Sequence, residues 1–351
     1  MFKSISFLVC AVMMLTLSSC NKGVVPDSQP VEQTTKPAPS TTAPTVPAKA
    51  INPLTGLANI TPGQSVRPVC VMIGNDDRSR PQAGIDKADM FVEAETEGGI
   101  TRIMTVFAGV SRVPGKLGPI RSARTPFILI AESLGSVYCH AGGSRAGLNV
   151  LKTADVGNID ALYGINNSAF WRDAGLRNSK GLEYSMMTSG ERLNTRIKAF
   201  KFSQKTDNPS PFAFGDKKSG SGAGNSVQVK MSNLQTISFR YDAGSGLYTK
   251  INGTLSSGTE HKTMDGAILK ATNIIIMYDN KYNEDGRTIS FRLNNGTGLL
   301  VSGGKSRQIR WSRSKGSLKF TENDGSKLML PSGKAYICLT DLSNASKTVI
   351  T

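Results

Sequence analysis

The sequence predicts an α+β protein, a mixed α/β domain followed by a mostly antiparallel β domain, and three observations carry that prediction. Between residues 69 and 151 the order strand, glycine-bearing loop, helix occurs twice. Beyond residue 235 short apolar runs alternate with turn signals, among them the hairpin dipeptides Asp285-Gly286 and Asp324-Gly325. Between these two regions, residues 215–226 are dominated by glycine, serine and lysine, a composition break that marks a linker.

Taken in order, the chain opens with Lys3 and an apolar stretch over residues 5–17, too short to span a bilayer as a permanent helix. Leu17-Ser18-Ser19-Cys20 has the lipobox pattern of an aliphatic residue, two small residues and a cysteine. An ordinary secretory signal needs no cysteine there, so residues 1–19 read as a lipoprotein signal peptide cleaved before an acylated Cys20. Two acyl chains would then hold the protein to the extracytoplasmic face of the cell membrane. Residues 20–50, with Pro26, Pro30, Pro37, Pro39, Pro44 and Pro47 and no apolar period, read as a disordered tether.

The formal net charge is +16, and only Lys3 of that excess leaves with the signal peptide. For an exported chain such charge points to phospholipid head groups, an anionic envelope polymer or a phosphate-bearing ligand, and no nucleic acid is expected; plain solvation of the surface is the alternative. Cys10 leaves with the leader, so Cys70, Cys139 and Cys338 remain, each in an apolar run where a thiol packs as a small hydrophobe. One bridge, Cys70 to Cys139 for instance, is the alternative. With only His140 and His261 in the chain there is no metal-ligand spacing, and neither a metal nor a cofactor is expected.

In the mixed domain, residues 51–214, a buried strand is predicted over 69–73 and an antiparallel pair over 88–95 and 100–107 around Glu97-Gly98-Gly99. Thr125 as N-cap and Pro126 as first helical residue open a helix whose Phe127, Ile130, Ala131 and Leu134 share a face. A strand over 136–140 and the turn Ala141-Gly142-Gly143 lead to a helix capped by Ser144 that runs through Leu148 and Leu151. Thr188 with Glu191 forms a capping box before Leu193, Ile197 and Phe200. In the β-rich domain, residues 227–351, strands are predicted over 235–241, 274–278, 288–293, 298–301, 308–311, 318–321, 327–330 and 335–339.

Several segments are specific: Arg80-Pro81-Gln82 with Gly84, Glu93, Glu97-Gly98-Gly99-Ile100-Thr101-Arg102, Gly118-Pro119-Ile120-Arg121-Ser122-Ala123-Arg124, His140-Ala141-Gly142-Gly143-Ser144 and Phe170-Trp171-Arg172-Asp173. Tyr241-Asp242, Tyr248, His261, Asp265, Asn273 and Asp285-Gly286 extend the pattern. With these residues the chain resembles the YerB-like lipoproteins, a two-domain bacterial family of unknown function. The resemblance implies location and architecture and assigns no activity. It departs at Leu182-Glu183-Tyr184-Ser185-Met186-Met187-Thr188-Ser189, where the family implies a His-Asn-Leu-Tyr-Thr-Ser segment.

The strongest candidate site is the segment before the helix at Pro126. It sets Arg121 and Arg124 in front of amides without intrahelical partners, with Ser122 and Thr125 as further donors, an anion site in outline. The loop of His140, Gly142, Gly143, Ser144 and Arg145 can open on the same sheet edge, so these residues are expected to line one pocket, with Arg102 and Arg80 as additional ligand-binding candidates. The competing expectation is that the arginines pair internally with Glu93 or Glu97. Catalytic candidates are weaker: His140, Ser144 in a loose nucleophile elbow with His140 or His261 as base, Glu97, and the carboxylates of Glu93 and Glu95 on one strand face. Gly304-Lys305-Ser306 misses the P-loop spacing by one residue and is rejected. Lys305, Arg307, Arg310, Arg313, Lys315 and Lys319 around an inward Trp311 form a basic run suited to a polyanion, membrane or solvent. The expected function is a lipid-anchored binding or accessory module for an anionic envelope ligand or a neighbouring membrane or wall protein. The competing classes are an enzyme on wall polymer or a lipid-linked phosphate intermediate, and a purely structural partner protein.

Overall fold

The structure, a computed structural model, describes residues 48–207, 210–215, 220–314 and 316–351. The leader, Cys20, nearly all of the tether and Lys315 lie outside the described residues.

The architecture is α+β. Its backbone is an eleven-stranded sheet. From the first region come β1 (Val69–Gly74), β2 (Met90–Glu95), β3 (Thr101–Phe107), β4 (Val137–His140) and β5 (Gly157–Asp160). From the second come β9 (Asn273–Asp279), β10 (Asn295–Ser302), β11 (Lys305–Ser314), β12 (Ser317–Thr321) and β13 (Ala335–Asp341), numbered after three strands given below. The order is β11-β10-β9-β13-β2-β3-β1-β4-β5, with β12 on β11 and the short strand Gly222–Ala223 on β11's other side. Both regions therefore contribute to one sheet: β13 runs parallel to β2, with Ala335 opposite Met90 and Cys338 opposite Glu93. The predicted hairpin of β2 and β3 is antiparallel, with Gly98 and Gly99 at positive φ in its turn.

Strand alternation explains the two layers. Cys70, Met72, Met90, Val92, Met104, Tyr138, Ile275 and Ile337 face one side, where α1 (Thr125–Ser133) and α2 (Arg145–Leu151) lie. α1 is buried nearly all round, because the sheet holds one flank and β12 the other. Val71, Ile73, Phe91, Ile103, Cys139, Ile276 and Cys338 face the opposite side. They meet a second, six-stranded antiparallel sheet built on β6 (Ser226–Lys230), β7 (Thr236–Asp242) and β8 (Leu247–Asn252). The helix Gly190–Ala199, here α4 after α3 (Ala174–Lys180), covers the same side through Leu193 and Ile197. β6 and β8 have no counterpart among the predicted strands, since their short polar-apolar alternation carries few large apolar residues.

Local details differ from expectation where a tertiary partner wins. Thr125 is the first helical residue and Arg124, in extended conformation, is the N-cap. The Thr125 hydroxyl instead donates to Glu284 Oε2 at 2.9 Å. Likewise Ser189 caps α4, accepting from the Arg192 amide at 3.3 Å, because Thr188 pairs with Leu117 and donates its hydroxyl to the Ala169 carbonyl. Ser144 does cap α2, accepting from the Gly147 amide at 3.0 Å.

Cys70, Cys139 and Cys338 are free and buried. Val71, not Cys70, stands opposite Cys139, and the two thiols point to opposite faces, which rules out the Cys70 to Cys139 bridge. On β11, Ile309 and Trp311 point inward and Arg310 outward, as the alternation requires. The basic run is not an unpartnered surface, however. Arg307 meets Glu322 at 3.0 Å, and Arg313 donates to Glu132 at 2.6 Å, tying β11 to α1. Gly303 and Gly304 make the β10-β11 hairpin turn at positive φ. Among the described residues no helix is long and apolar enough to cross a membrane.

Candidate functional site

β1 and β4 run parallel, and the segment 118–124 is stitched across their C-terminal ends. The Gly74 amide donates to Pro119 O at 3.1 Å and the Arg121 amide to Met72 O at 2.9 Å. On the other side, the Ala141 amide donates to Arg121 O at 3.0 Å and the Ala123 amide to Gly142 O at 2.8 Å. Gly74 leaves no room for a β-carbon, which would fall against the Ser79 side chain first and also 2.9 Å from Arg121 Cγ. The two loops that the sequence pairs on one edge are thus joined through their backbones.

What opens beside them is a cavity of about 330 Å³ lined by four arginines: Arg102, Arg121, Arg124 and Arg172. Two carboxylates, Glu97 and Glu183, share it, with Ser122, Ala141 and Leu162 in its walls. Four cations against two anions leave the cavity positive.

The carboxylates have different roles. Arg124 grips Glu97 with Nε donating to Oε2 at 2.8 Å and Nη2 to Oε1 at 2.7 Å, and Arg102 donates to the same Oε1. Arg102 also donates to the Ser122 carbonyl at 2.9 Å, so the pair fixes the loop from below. Burial alone would raise the Glu97 carboxyl, but Arg102 and then Arg124 outweigh it and hold it below the usual range. Burial, with help from Arg124, draws Arg102 down to about 9. Glu183 is different: its side chain is 72% exposed and touches Arg121 Nη1 at 3.2 Å. Arg121 also donates to Glu183 O at 3.1 Å and lies 4.9 Å from the Tyr184 ring centroid, while Arg172 donates to Leu182 O.

Of the ligand-binding candidates, Arg102, Arg121, Ser122 and Arg124 come together here and the others do not. His140 is fully buried, its Nδ1 2.8 Å from Gly142 O and its Nε2 2.8 Å from Asn158 Oδ1, because the tight turn at Gly142 (φ +63°) folds the backbone over the ring. Gly142 donates its amide to Asp160 at 2.7 Å, so its backbone serves the fold. Gly143 bridges Ala123, Ser144 is occupied as a cap, and Arg145 is exposed outside the cavity. Arg80 turns to Asn75 O and Asp77 instead. Ser144 and His140 are therefore no nucleophile and base pair.

Glu93 and Glu95 share a strand face, yet neither lies on a solvated edge and they do not act together. Glu95 pairs with Lys281 at 2.9 Å. Glu93 accepts from Asn75 at 2.8 Å, Thr101 at 2.7 Å and the Tyr336 hydroxyl, with Lys250 Nζ at 3.6 Å. Lys250 lies 3.1 Å from His261 Nδ1, and His261 Nε2 lies 2.8 Å from Gln82 Oε1, so this fully buried polar chain links the two regions. Burial, reinforced by Lys250 and Arg80, pushes the His261 imidazole well below its ordinary value. Such a closed, satisfied network holds structure together.

Nothing in the sequence marks Arg172 or Glu183 as site residues, although Arg172 lies within Phe170-Trp171-Arg172-Asp173 and Glu183 within the departing segment 182–189. What links them to Arg121 is a pairing of the strands Phe170–Arg172 and Met186–Thr188, which no local pattern announces. Among the described residues no group of three or more His, Cys, Asp or Glu is placed to hold a metal ion.

Comparison with known proteins gives concordant matches. Residues 54–203 match the family described as "Protein of unknown function (DUF3048) N-terminal domain", and residues 227–337 match its C-terminal domain. A Bacillus subtilis (strain 168) protein named "Putative lipoprotein YerB" is 29% identical over 348 residues, covering 96% of this chain and 95% of that protein. The crystal structure of YerB protein from Bacillus subtilis superposes with a TM-score of 0.69 at 27% identity, covering 86% of this chain and all of that one.

Proposed function

We propose, from the premise that this chain belongs to the DUF3048 family, both of whose domains it carries in order, that it is a lipid-anchored extracytoplasmic protein that binds an anionic envelope ligand in the arginine cavity. The lipobox at Cys20 and the similarity to a relative named as a lipoprotein support the anchor and the compartment. One observation carries the binding role: four arginines line a cavity that has only two carboxylates in its walls.

Glu97 is the internal counter-ion, gripped on both sides and needed to keep Arg102 and Arg124 in place. Glu183 is the exchangeable one, because an exposed ion pair at 3.2 Å is worth only about 0–1 kcal/mol. A phosphate or carboxylate that displaces it meets Arg121 and Arg172, whose planar donors suit paired oxygens. The ligand thus replaces a contact the protein already makes with its own acidic side chain. Of the proton-transfer candidates of the enzymatic alternative, His140 has both ring nitrogens engaged inside the fold and Glu97 is gripped by two arginines, which favours the binding reading.

The test is equilibrium dialysis of the full-length acylated chain against radiolabelled inorganic phosphate, with Arg121→Gln as the comparison. Binding weakened at least tenfold by the substitution supports the reading. Equal binding by both chains, or none by either, removes it.

A further inference from the structure

We infer that the ligand is amphiphilic, a lipid bearing a phosphate monoester, with its head in the arginine cavity and its hydrocarbon on an apolar collar at the mouth. This rests on the anion-binding reading above and gives that site its ligand class.

Of the eleven large hydrophobic side chains exposed among the described residues, five are Leu148, Leu162, Tyr163, Ile165 and Leu182. Three of these, Leu162, Tyr163 and Leu182, line this cavity or adjoin in sequence a residue that does. Leu162 lines it directly, although it is 61% exposed. Tyr163, the next residue, is 69% exposed. Across the cavity Leu182 is 54% exposed, its carbonyl takes the Arg172 guanidinium, and its neighbour Glu183 faces Arg121. Leu148 and Leu162 both reach the Gly142-Gly143 turn, since β-carbons there would come within 3.0 Å and 2.7 Å of their methyl groups.

The collar is held in position rather than loosely displayed. Asp160 Oδ1 accepts from the Gly142 amide at 2.7 Å and from the Leu162 amide at 2.9 Å, so one carboxylate ties the turn to the loop that carries Leu162 and Tyr163. Apolar side chains kept in water around a polar hole gain about 25 cal/mol per Å² when something covers them. A free anion would fill the hole and leave the collar wet, whereas an acyl or prenyl chain attached to the phosphate covers it.

The charge selects among lipids. A phosphomonoester carries more than one negative charge near neutral pH and suits a cavity with two surplus guanidiniums. A zwitterionic head would bring its own cation against Arg121 and Arg172.

The test uses native mass spectrometry of the full-length acylated chain released from detergent, with dioleoyl phosphatidic acid or dioleoyl phosphatidylcholine added, beside the phosphate dialysis. We expect one phosphatidic acid per chain, bound at least tenfold more tightly than phosphatidylcholine or free phosphate, and weakened at least tenfold by Arg121→Gln. Tyr163→Ser, at an exposed position outside the phosphate contacts, should weaken phosphatidic acid at least threefold and leave phosphate binding unchanged. If phosphate binds through Arg121 but phosphatidic acid binds no more tightly, the lipid inference falls and the anion site stands. If phosphatidic acid binds equally to the Arg121→Gln chain, the lipid sits elsewhere and the inference falls as well. If neither probe binds, both readings fall.

Discussion

Arg124 and Glu97 form a two-point pair, Nε to Oε2 at 2.8 Å and Nη2 to Oε1 at 2.7 Å, across the floor of the cavity. Arg102 shares Oε1 and is itself nearly buried, so one carboxylate sits between two guanidiniums that otherwise repel. The pair joins the turn after β2 to the segment before α1.

Glu97→Gln should therefore cost about 2–3 kcal/mol in urea unfolding, below the roughly 3–5 kcal/mol of a fully buried broken pair because Glu97 keeps some exposure. The acid side follows the same logic. The folded carboxyl is held below its ordinary value, so its contribution is present above that value and is lost as pH falls through the lower, folded one. Unfolding midpoints of the two chains should converge at low pH; a substitution that shifts the midpoint by less than about 0.5 kcal/mol at pH 7 would contradict the assignment.

Glu183→Gln should act in the opposite sense on binding. Removing the exposed carboxylate from Arg121 vacates the cation at a cost of well under about 1 kcal/mol, so phosphate affinity in dialysis should rise about two- to threefold with stability unchanged. Weaker binding in this variant would make Glu183 a partner of the ligand instead of its competitor.

His261 should govern stability on the mildly acidic side. Its folded imidazole protonates well below the unfolded one, so the unfolded chain binds the extra proton. Stability is then full above the unfolded value of about 6.5 and declines below it by up to about 1.4 kcal/mol per pH unit. Urea titrations at pH 7, 6 and 5 should show this slope in the native chain, and His261→Gln should flatten it.

Ser144→Ala should lower stability by about 1 kcal/mol through loss of the cap on α2. A fluorophosphonate probe should label neither chain, because the His140 ring is bonded to Gly142 and Asn158 and reaches no serine. Labelling that disappears in the variant would restore the hydrolase reading.

Much of this protein is local in origin and could be read before folding. Short apolar-rich runs marked β1, β2, β3, β9 and β13, which are covered on both faces, and the 125–134 pattern marked α1, because burial on a sheet or helix stripe leaves its mark at short range. The arginines at 121 and 124 were visible for the same reason, as unusual charges in a loop between such elements. The family resemblance rested on those same segments, and both domains match.

What only the tertiary structure decided is which groups face each other. Nothing local distinguishes His140, sealed by the Gly142 turn, from Arg121, open to the cavity. The joining of Cys338 to Glu93 in one sheet, and of Arg172 and Glu183 to Arg121 in one cavity, spans tens to hundreds of residues. Backbone periodicity reports the face a side chain takes on its own element. The partner across space is set by strand order and loop crossing, and on those pairings depend both the charge of the cavity and the apolar collar around it.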